Sequence, residues 1–209
     1  MKIETLEVAG FCSAIHGMRN PMDSWDKSDS SGLHIGENDK NLSIRLQKAG
    51  PEHCKHLRMV QVWADITAPR YWWNEFDTYR AGVEKVSCST MHRLMARELT
   101  PDDFEHDCIL DENIENWLTL INNSMKHYKG EMPLKQLNAE EKKNVWRGII
   151  QALPQSYLQK RTVMMSYAAL RNIYRQREGH KLVEWQYFRE WVEDLPESWM
   201  ITEGWDAES

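Results

Sequence analysis

Residues 57–67 constrain the fold of this chain more than any other stretch. They read LRMVQVWADIT, which alternates with a period of two and is rich in β-branched and aromatic residues. Such a pattern is typical of a strand that buries one of its two faces. The side chains predicted on the buried face are Val60, Val62, Ala64 and Ile66. Arg58 and Asp65 are expected on the opposite face.

The other elements are predicted from apolar spacing and from capping residues. Residues 2–9 predict a second strand, and residues 81–91 predict an extended loop. The predicted helices cover residues 12–29, 38–48, 69–79, 111–129, 138–152, 157–177 and 181–194. Gly130 is expected to end the helix at 111–129, and Asn138 with Glu141 forms the pattern of a capping box for the helix at 138–152. Ser156 is suited to cap the helix at 157–177. We expect one domain over residues 1–209, with a frayed tail at residues 200–209.

The composition is that of an ordinary globular protein. The chain has 209 residues, of which 41% are hydrophobic and 28% charged, so it can bury a sizeable core. Its formal net charge of −6 argues against general nucleic-acid binding, which relies on a basic stripe. No apolar run approaches the roughly 20 residues that span a bilayer, and the N-terminal stretch MKIETLEVAG lacks the apolar core of a secretory signal. We therefore expect a cytoplasmic protein with no membrane partner.

The four cysteines are widely scattered and form no C-x-x-C pair, so reduced thiols are expected rather than a disulfide framework. They are Cys12, Cys54, Cys88 and Cys108. Two short pairs offer metal ligands, namely Cys12 with His16 and Cys54 with His56. A structural zinc site needs four converging ligands, so no metal site is predicted.

The predicted helix at residues 157–177 carries a group of basic residues. At about 3.6 residues per turn, an apolar stripe faces the core and a polar group occupies an arc of roughly 100°. The stripe consists of Val163, Tyr167, Leu170 and Tyr174, and the arc of Arg161, Arg171, Asn172 and Arg175. Guanidinium groups beside an amide suit a phosphate and a heterocycle, because arginine offers planar paired donors to oxyanions. The alternative is a solvated face whose arginines pair with carboxylates.

A longer pattern surrounds this group. Behind a Leu-Pro pair, residues 153–177 place Leu170, Asn172 and Arg177 at fixed steps. This spacing resembles, without a gap, the nucleotide-binding helix of the flavin-dependent thymidylate synthases, the ThyX family. The resemblance extends over roughly residues 38–195.

A second family segment is less well preserved. In family members, an Ala-Pro pair precedes a helix that ends in the signature Arg-His-Arg-x-x-Ser-x-Asn-Glu-x-Ser-x-Arg. In this chain, residues 65–69, DITAP, precede a comparable helix. Without gaps the signature falls on Thr78, Tyr79, Arg80, Val83, Lys85, Val86, Cys88 and Thr90. Arg80 alone is retained, and Cys88 replaces a serine.

The resemblance implies an α/β (α+β) fold of the ThyX type, a mixed sheet flanked by helices. It also implies a homo-oligomer, most simply a homotetramer whose subunits share each site, and the ten tryptophans fit extensive buried interfaces. The implied cofactor is FAD, with NADPH and a folate one-carbon donor as possible co-substrates. The implied partner is a pyrimidine deoxynucleotide such as deoxyuridine monophosphate (dUMP).

Site residues follow from the resemblance and from the basic group. The expected cofactor-binding residues are His53, Arg58, Tyr79, Arg80 and Asn172, and the expected substrate-binding residues are Ser87, Ser89, Arg147, Arg161 and Arg177. Arg177 is expected to polarise the pyrimidine and His180 to add acid–base capacity, unless His180 is a surface residue. Cys88 either holds a phosphate, attacks C6 of the pyrimidine, or is buried and inert.

Aromatic residues recur at helical spacing on the helix at residues 69–79. These residues, which we call the aromatic wall, are Tyr71, Trp72, Trp73, Phe76 and Tyr79. Each either packs in the core or stacks on an isoalloxazine ring or a base.

The leading function is therefore a flavin-dependent enzyme that acts at C5 of a pyrimidine deoxynucleotide, by methylation of dUMP or a related hydroxymethylation. The first alternative is a nucleotide-binding or regulatory protein that has lost catalysis. The second is a structural interaction protein in which the aromatic wall is an interface. Flavin binding separates the enzyme from both alternatives.

Overall fold

The computed structural model describes residues 1–32 and 34–204, and of His92 the backbone only. The described chain forms two compact units. The sheet unit comprises Lys2–Ile66, Asp77–Val86 and the described residues from Arg161 on, and the helical unit comprises Met1, Thr67–Phe76 and Ser87–Lys160. That residues 1–209 form a single domain stays a prediction.

Four strands form one antiparallel sheet, in place of the mixed sheet that was expected. They are β1 (Lys2–Ala9), β2 (Gln61–Pro69), β3 (Val83–Ser87) and β4 (Leu158–Ser166), hydrogen-bonded in the order β1-β2-β4-β3. The helices are α1 (Phe11–Arg19), α2 (Glu37–Lys48), α3 (Arg70–Phe76), α4 (Thr90–Arg93), α5 (Asp111–Lys129), α6 (Ala139–Ala152), α7 (Tyr167–Gln176), α8 (Val183–Glu193) and α9 (Trp199–Thr202). The strand predicted at residues 2–9 is confirmed. The strand predicted at 57–67 exists but spans Gln61–Pro69, because Lys55–Arg58 form a short 3-10 helix before it.

Strand β2 alternates as predicted, because one of its faces carries the apolar residues. Val62, Ala64 and Ile66 are fully buried, and Val60 just before the strand is buried with them. In the sheet unit, Trp185 and Phe188 of α8 and Ile173 of α7 are also fully buried. Apolar side chains on one face of each element therefore form the core of this unit.

The helical unit has its own core between the amphipathic helices α5 and α6. Its buried cluster consists of Leu94, Leu99, Phe104, Ile114, Leu118, Ile121, Met125, Ile149 and Leu153. Helix α6 begins at the predicted capping box, in which the Asn138 side chain accepts from the Glu141 amide and the Glu141 carboxylate accepts from the Asn138 amide. Helix α5 ends at Gly130 with φ 79°, in the left-handed region that glycine tolerates. Both predictions are confirmed.

The predicted helix at residues 157–177 is wrong in its first half. Residues Leu158–Ser166 form strand β4, and α7 begins only at Tyr167. Val163 and Met165 are buried while Thr162 is exposed, so this segment follows a period of two. Neighbouring strands supply the pairing, since β4 is hydrogen-bonded to β2 on one side and to β3 on the other. The cap of α7 is accordingly Ser166, whose side chain accepts from the Ala169 amide, and not Ser156.

Other boundaries also differ from the prediction. The helix expected at 12–29 ends at Arg19, and the loop expected at 81–91 contains β3. The tail expected to fray from residue 200 is helical to Thr202, with Met200 and Ile201 fully buried. Arg171 holds it, because its guanidinium donates to the carbonyls of Ile201, Glu203 and Gly204. Residues 205–209 lie outside the described residues.

Three residues of the predicted aromatic wall are core residues of the helical unit. Trp72, Trp73 and Phe76 are fully buried. Trp72 lies 4.9 Å from both other rings, centroid to centroid. None of the three is exposed, so each packs in the core rather than against a bound ring. In the described part of the chain, no helix is long and apolar enough to cross a membrane.

Candidate functional site

A groove in the sheet unit follows one face of α7. It consists of three cavities of about 420, 500 and 270 Å³, and Asn172 lines all of them. The first two cavities also share Arg58 and Ala168, and the last two share Ala81 and Ala169. We call this continuous surface the α7 groove. Its extended form suits a long ligand better than a small one.

Small residues line the middle of the α7 groove. Ala168, Ala169 and Asn172 are neighbours on one face of α7, because residues three and four apart share a face. Gly82 lies opposite with φ +71°, and a Cβ built there would stand 2.5 Å from Ser166 Oγ. Glycine is therefore required where the Gly82 backbone approaches the start of α7.

One end of the α7 groove is basic. The 420 Å³ cavity is lined by the cationic side chains of Lys48, Arg58, Arg171 and Arg175. Among the described residues that line it, none carries a carboxylate. Cations that converge on an open cavity suit an anionic ligand such as a phosphate or a diphosphate.

Arg171 contributes to this wall from within the protein. It was predicted on an exposed arc of a helix, but only 7% of it is exposed. Burial lowers the pKa of its guanidinium to about 10, so it stays charged at neutral pH. Its donation to three carbonyls holds the C-terminal segment and places Gly204 in the cavity wall.

Four of the five expected cofactor-binding residues line the α7 groove. Arg58 and Asn172 line the cavities at the basic end, and Tyr79, Arg80 and Asn172 line the 270 Å³ cavity. The fifth, His53, does not line it: the side chain is exposed, and its Nε2 lies 3.6 Å from the Glu52 carboxylate. The role of these residues toward a cofactor stays a prediction.

Arg177 is held between two aromatic rings in the sheet unit. Its Nε donates to the Tyr79 hydroxyl at 2.7 Å, and its guanidinium carbon lies 4.2 Å from the centroid of the buried Trp185 ring. Nδ1 of His180 accepts from the Leu182 amide at 3.1 Å, which leaves the ring proton of a neutral His180 on Nε2. Two of the three predicted catalytic residues, Arg177 and His180, therefore lie beside the same tryptophan, since the His180 and Trp185 centroids are 6.1 Å apart.

Arg161 pairs with a carboxylate and does not line the α7 groove. It lies on β4, so the predicted arc that joined it to Arg171, Asn172 and Arg175 does not exist. Its guanidinium and the Lys85 ammonium each lie 2.8 Å from the Asp77 carboxylate. Burial raises the pKa of that carboxyl, but hydrogen bonds from Lys85 and Arg161 outweigh burial and hold the pKa below its ordinary value.

The remaining expected residues lie in or at the edge of the helical unit. Cys88 and Ser89 line a cavity of about 500 Å³ with Arg93 and Lys160, and the Cys88 amide donates to the Lys160 carbonyl at 2.9 Å. Cys88 is exposed, so the alternative of a buried, inert cysteine is wrong. Ser87 is exposed at the end of β3, and Arg147 is exposed on α6. Nowhere in the described residues do three or more His, Cys, Asp or Glu side chains form a metal-binding group.

Gln47 and Lys48 are among the groove residues that the sequence prediction missed. A signal for the first was present: Asp39, Ser43 and Gln47 recur every four residues along α2, and all three are buried. Polar residues at this spacing on a buried face indicate a hydrogen-bonded network. For Lys48 the sequence offers no such signal.

Known proteins resemble this chain in structure only. No protein-family model and no curated protein matches it. Two crystal structures of the flavin-dependent thymidylate synthase ThyX from Helicobacter pylori, both with FAD and dUMP, match it with TM-scores of 0.71 and 0.72 at 16% sequence identity. Each match covers 96% of this chain and 96% or 97% of the other. The predicted ThyX-like fold is confirmed.

Proposed function

We propose that this protein is a flavin-dependent enzyme that acts at C5 of a pyrimidine deoxynucleotide, by methylation of dUMP or a related hydroxymethylation. The observation that carries the proposal is the α7 groove, a long, partly basic surface centred on Asn172. The fold supports it, because the ThyX structures that match hold FAD and dUMP. NADPH and a folate one-carbon donor are the expected co-substrates, and a homotetramer is the expected assembly.

The residues of the α7 groove fit a flavin dinucleotide. A diphosphate needs several cations, which Lys48, Arg58 and Arg175 supply at one end. A flat ring system needs room and a few polar anchors, which the small residues around Ala168 and the Asn172 amide supply. When bound, the flavin supplies the redox chemistry.

Arg177 is the residue that we assign to the pyrimidine. Tyr79 and Trp185 fix its guanidinium, so the cation needs little reorganisation when a ligand binds. A fixed cation beside a pyrimidine carbonyl stabilises the negative charge that develops when C5 or C6 reacts. His180, whose ring centroid lies 6.1 Å from that of Trp185, is the residue that we assign to proton transfer.

A nucleotide-binding protein without catalysis is the second candidate. Two observations favour it: Arg80 alone remains of the family signature, and Arg161 pairs with Asp77 within the chain. The structural interaction protein has less support. That alternative requires the aromatic wall to be exposed as an interface, but Trp72, Trp73 and Phe76 are buried.

Release of tritium from 5-tritiated dUMP tests the proposal. The protein is incubated with FAD, NADPH, methylenetetrahydrofolate and the labelled nucleotide. We expect tritium release that is lost in Asn172→Ala and retained in Arg45→Ala, a cation on the exposed side of α2 that lines no part of the α7 groove. Binding of FAD and dUMP without tritium release would refute the enzyme and favour the second candidate.

A further inference from the structure

A buried amide forms part of the wall at the basic end of the α7 groove. Gln47 lies in the last turn of α2, is only 6% exposed, and lines the 420 Å³ cavity next to Lys48. Its Oε1 atom has no hydrogen-bond partner among the described residues. A Cβ built on Gly204, which lines the same cavity, would lie 3.1 Å from this oxygen.

Hydrogen bonds behind Gln47 determine which way its amide faces. Gln47 Nε2 donates to Ser43 Oγ at 3.1 Å, and Ser43 Oγ lies 2.8 Å from Nε2 of the buried His56. Burial lowers the pKa of His56 to about 4, so its ring is neutral at pH 7. Ser43 thus accepts from Gln47, and its own hydrogen is available to the neutral imidazole. The amide nitrogen of Gln47 points to this network, so its oxygen points away from it.

An orphaned buried acceptor is costly, and folded proteins pair nearly all such groups. None of the described residues supplies a donor to Gln47 Oε1, and the cavity that Gln47 lines is where a ligand can supply one. Gln47 lines this cavity, and the χ3 torsion of glutamine has a broad minimum, so its amide can adjust to a ligand there while Nε2 stays on Ser43. The same cavity is lined by Lys48, Arg58 and Arg175, which favour an anion. Its ligand must therefore offer both an anion and a hydrogen-bond donor.

We propose that Gln47 Oε1 is a specificity-determining acceptor that binds an N–H group of a phosphorylated heterocycle in the α7 groove. The inference rests on the proposed function, since a flavin dinucleotide offers both parts of such a ligand. It carries two N–H sources, the 6-amino group of adenine and the N3 imide of isoalloxazine. A heterocycle without an N–H leaves the oxygen unpaired.

Two matched pairs of ligands test the inference by calorimetric titration. ADP is compared with purine riboside 5′-diphosphate, which lacks the 6-amino group, and FMN is compared with N3-methyl FMN. In one of the two pairs, the N–H ligand should bind wild type about three- to tenfold more tightly than its partner. Gln47→Met, which keeps the volume and removes the amide, should abolish that difference. The pair that shows the effect identifies the source of the N–H.

Gln136→Met, the same substitution at an exposed position of the helical unit, is the matched control and should behave as wild type. If wild type binds these ligands but neither pair differs, the assignment of Gln47 is overturned while the proposed function stands. This comparison uses wild type alone, so it holds even if Gln47→Met fails to fold. If wild type binds none of the four ligands, the proposed function fails and the inference fails with it.

Discussion

At the scale of single residues, Arg177 is a cation that two aromatic neighbours hold in place. Arg177 was identified from its distance to Pro154 along the sequence. The structure shows its two partners, the Tyr79 hydroxyl and the Trp185 ring. Tyr79 stands where the family signature has histidine, so the Arg177–Tyr79 hydrogen bond is made by a residue that departs from the signature. Replacing Arg177 therefore removes packing as well as charge.

Arg177→Lys keeps the charge but loses the planar stack and the Nε hydrogen bond. We expect the affinity for dUMP to fall about tenfold or more, as for loss of a charged hydrogen bond. The melting temperature should fall by a few degrees, because cation–π contacts contribute about 0.5–2 kcal/mol. Titration with dUMP and thermal melts of both proteins check this. Equal dUMP affinity of the two proteins would mean that Arg177 is only a structural residue.

His56 predicts how stability depends on pH. Its pKa in the folded protein is about 4, below the ordinary value of 6.5, so the unfolded chain binds a proton first as the pH falls. The stabilisation is complete above pH 6.5 and is lost as the pH falls toward 4, by on the order of 3 kcal/mol. Denaturant melts of wild type and His56→Gln between these pH values measure it. An identical loss in both proteins would contradict the assignment to His56, and exposed His53→Gln is the control.

At the scale of elements, the junction of β4 and α7 determines where the groove lies. Ser166 ends the strand and caps the helix, and Gly82 approaches it so closely that a Cβ would stand 2.5 Å from Ser166 Oγ. The start of α7, and with it the positions of Ala168, Ala169 and Asn172, depends on these two residues. This junction was not predicted from the sequence.

A double-mutant cycle tests the junction. Ser166→Ala removes the cap and should destabilise the protein by about 0.5–2 kcal/mol. Gly82→Ala should cost more, because φ is +71° and the new Cβ meets Ser166 Oγ. In the double variant the side-chain atom nearest to the new Cβ is the Cβ of residue 166, at 3.5 Å. The double variant should therefore lose less stability than the two single variants lose together. Strict additivity in denaturant unfolding would contradict the proposed contact.

Elements with a local signal were predictable from the sequence. Strand β2 alternates, α5 ends at a glycine, and α6 begins with a capping box. The signal for each of these elements lies within its own residues. Strand β4 was not predictable: its apolar residues fit a helical stripe as well as an alternation, and its pairing with distant strands decided the outcome. Of the site, Arg58, Arg80 and Asn172 were found by resemblance. The Gln47 network was missed: the spacing of Ser43 and Gln47 along α2 is visible in the sequence, but His56 meets them only in the folded protein.

At the scale of the whole molecule, the ThyX-like fold leads to a prediction about assembly. If each site is shared among subunits, the protein must be an oligomer at the concentrations at which it works. We expect light scattering to give the mass of a homotetramer at micromolar concentration. A monomer under these conditions would contradict the shared site, while the α7 groove of a single chain would remain.

The central claim is that the α7 groove binds a flavin dinucleotide, and titration with FAD tests it most directly. The account predicts that freshly purified protein shows the visible absorption of bound flavin, or quenches the fluorescence of added FAD to saturation. Arg58→Ala should weaken binding about tenfold or more, because a charged contact to the diphosphate is lost, and Arg45→Ala should not. A colourless protein that leaves FAD fluorescence unchanged, or equal affinity in wild type and Arg58→Ala, would contradict the account.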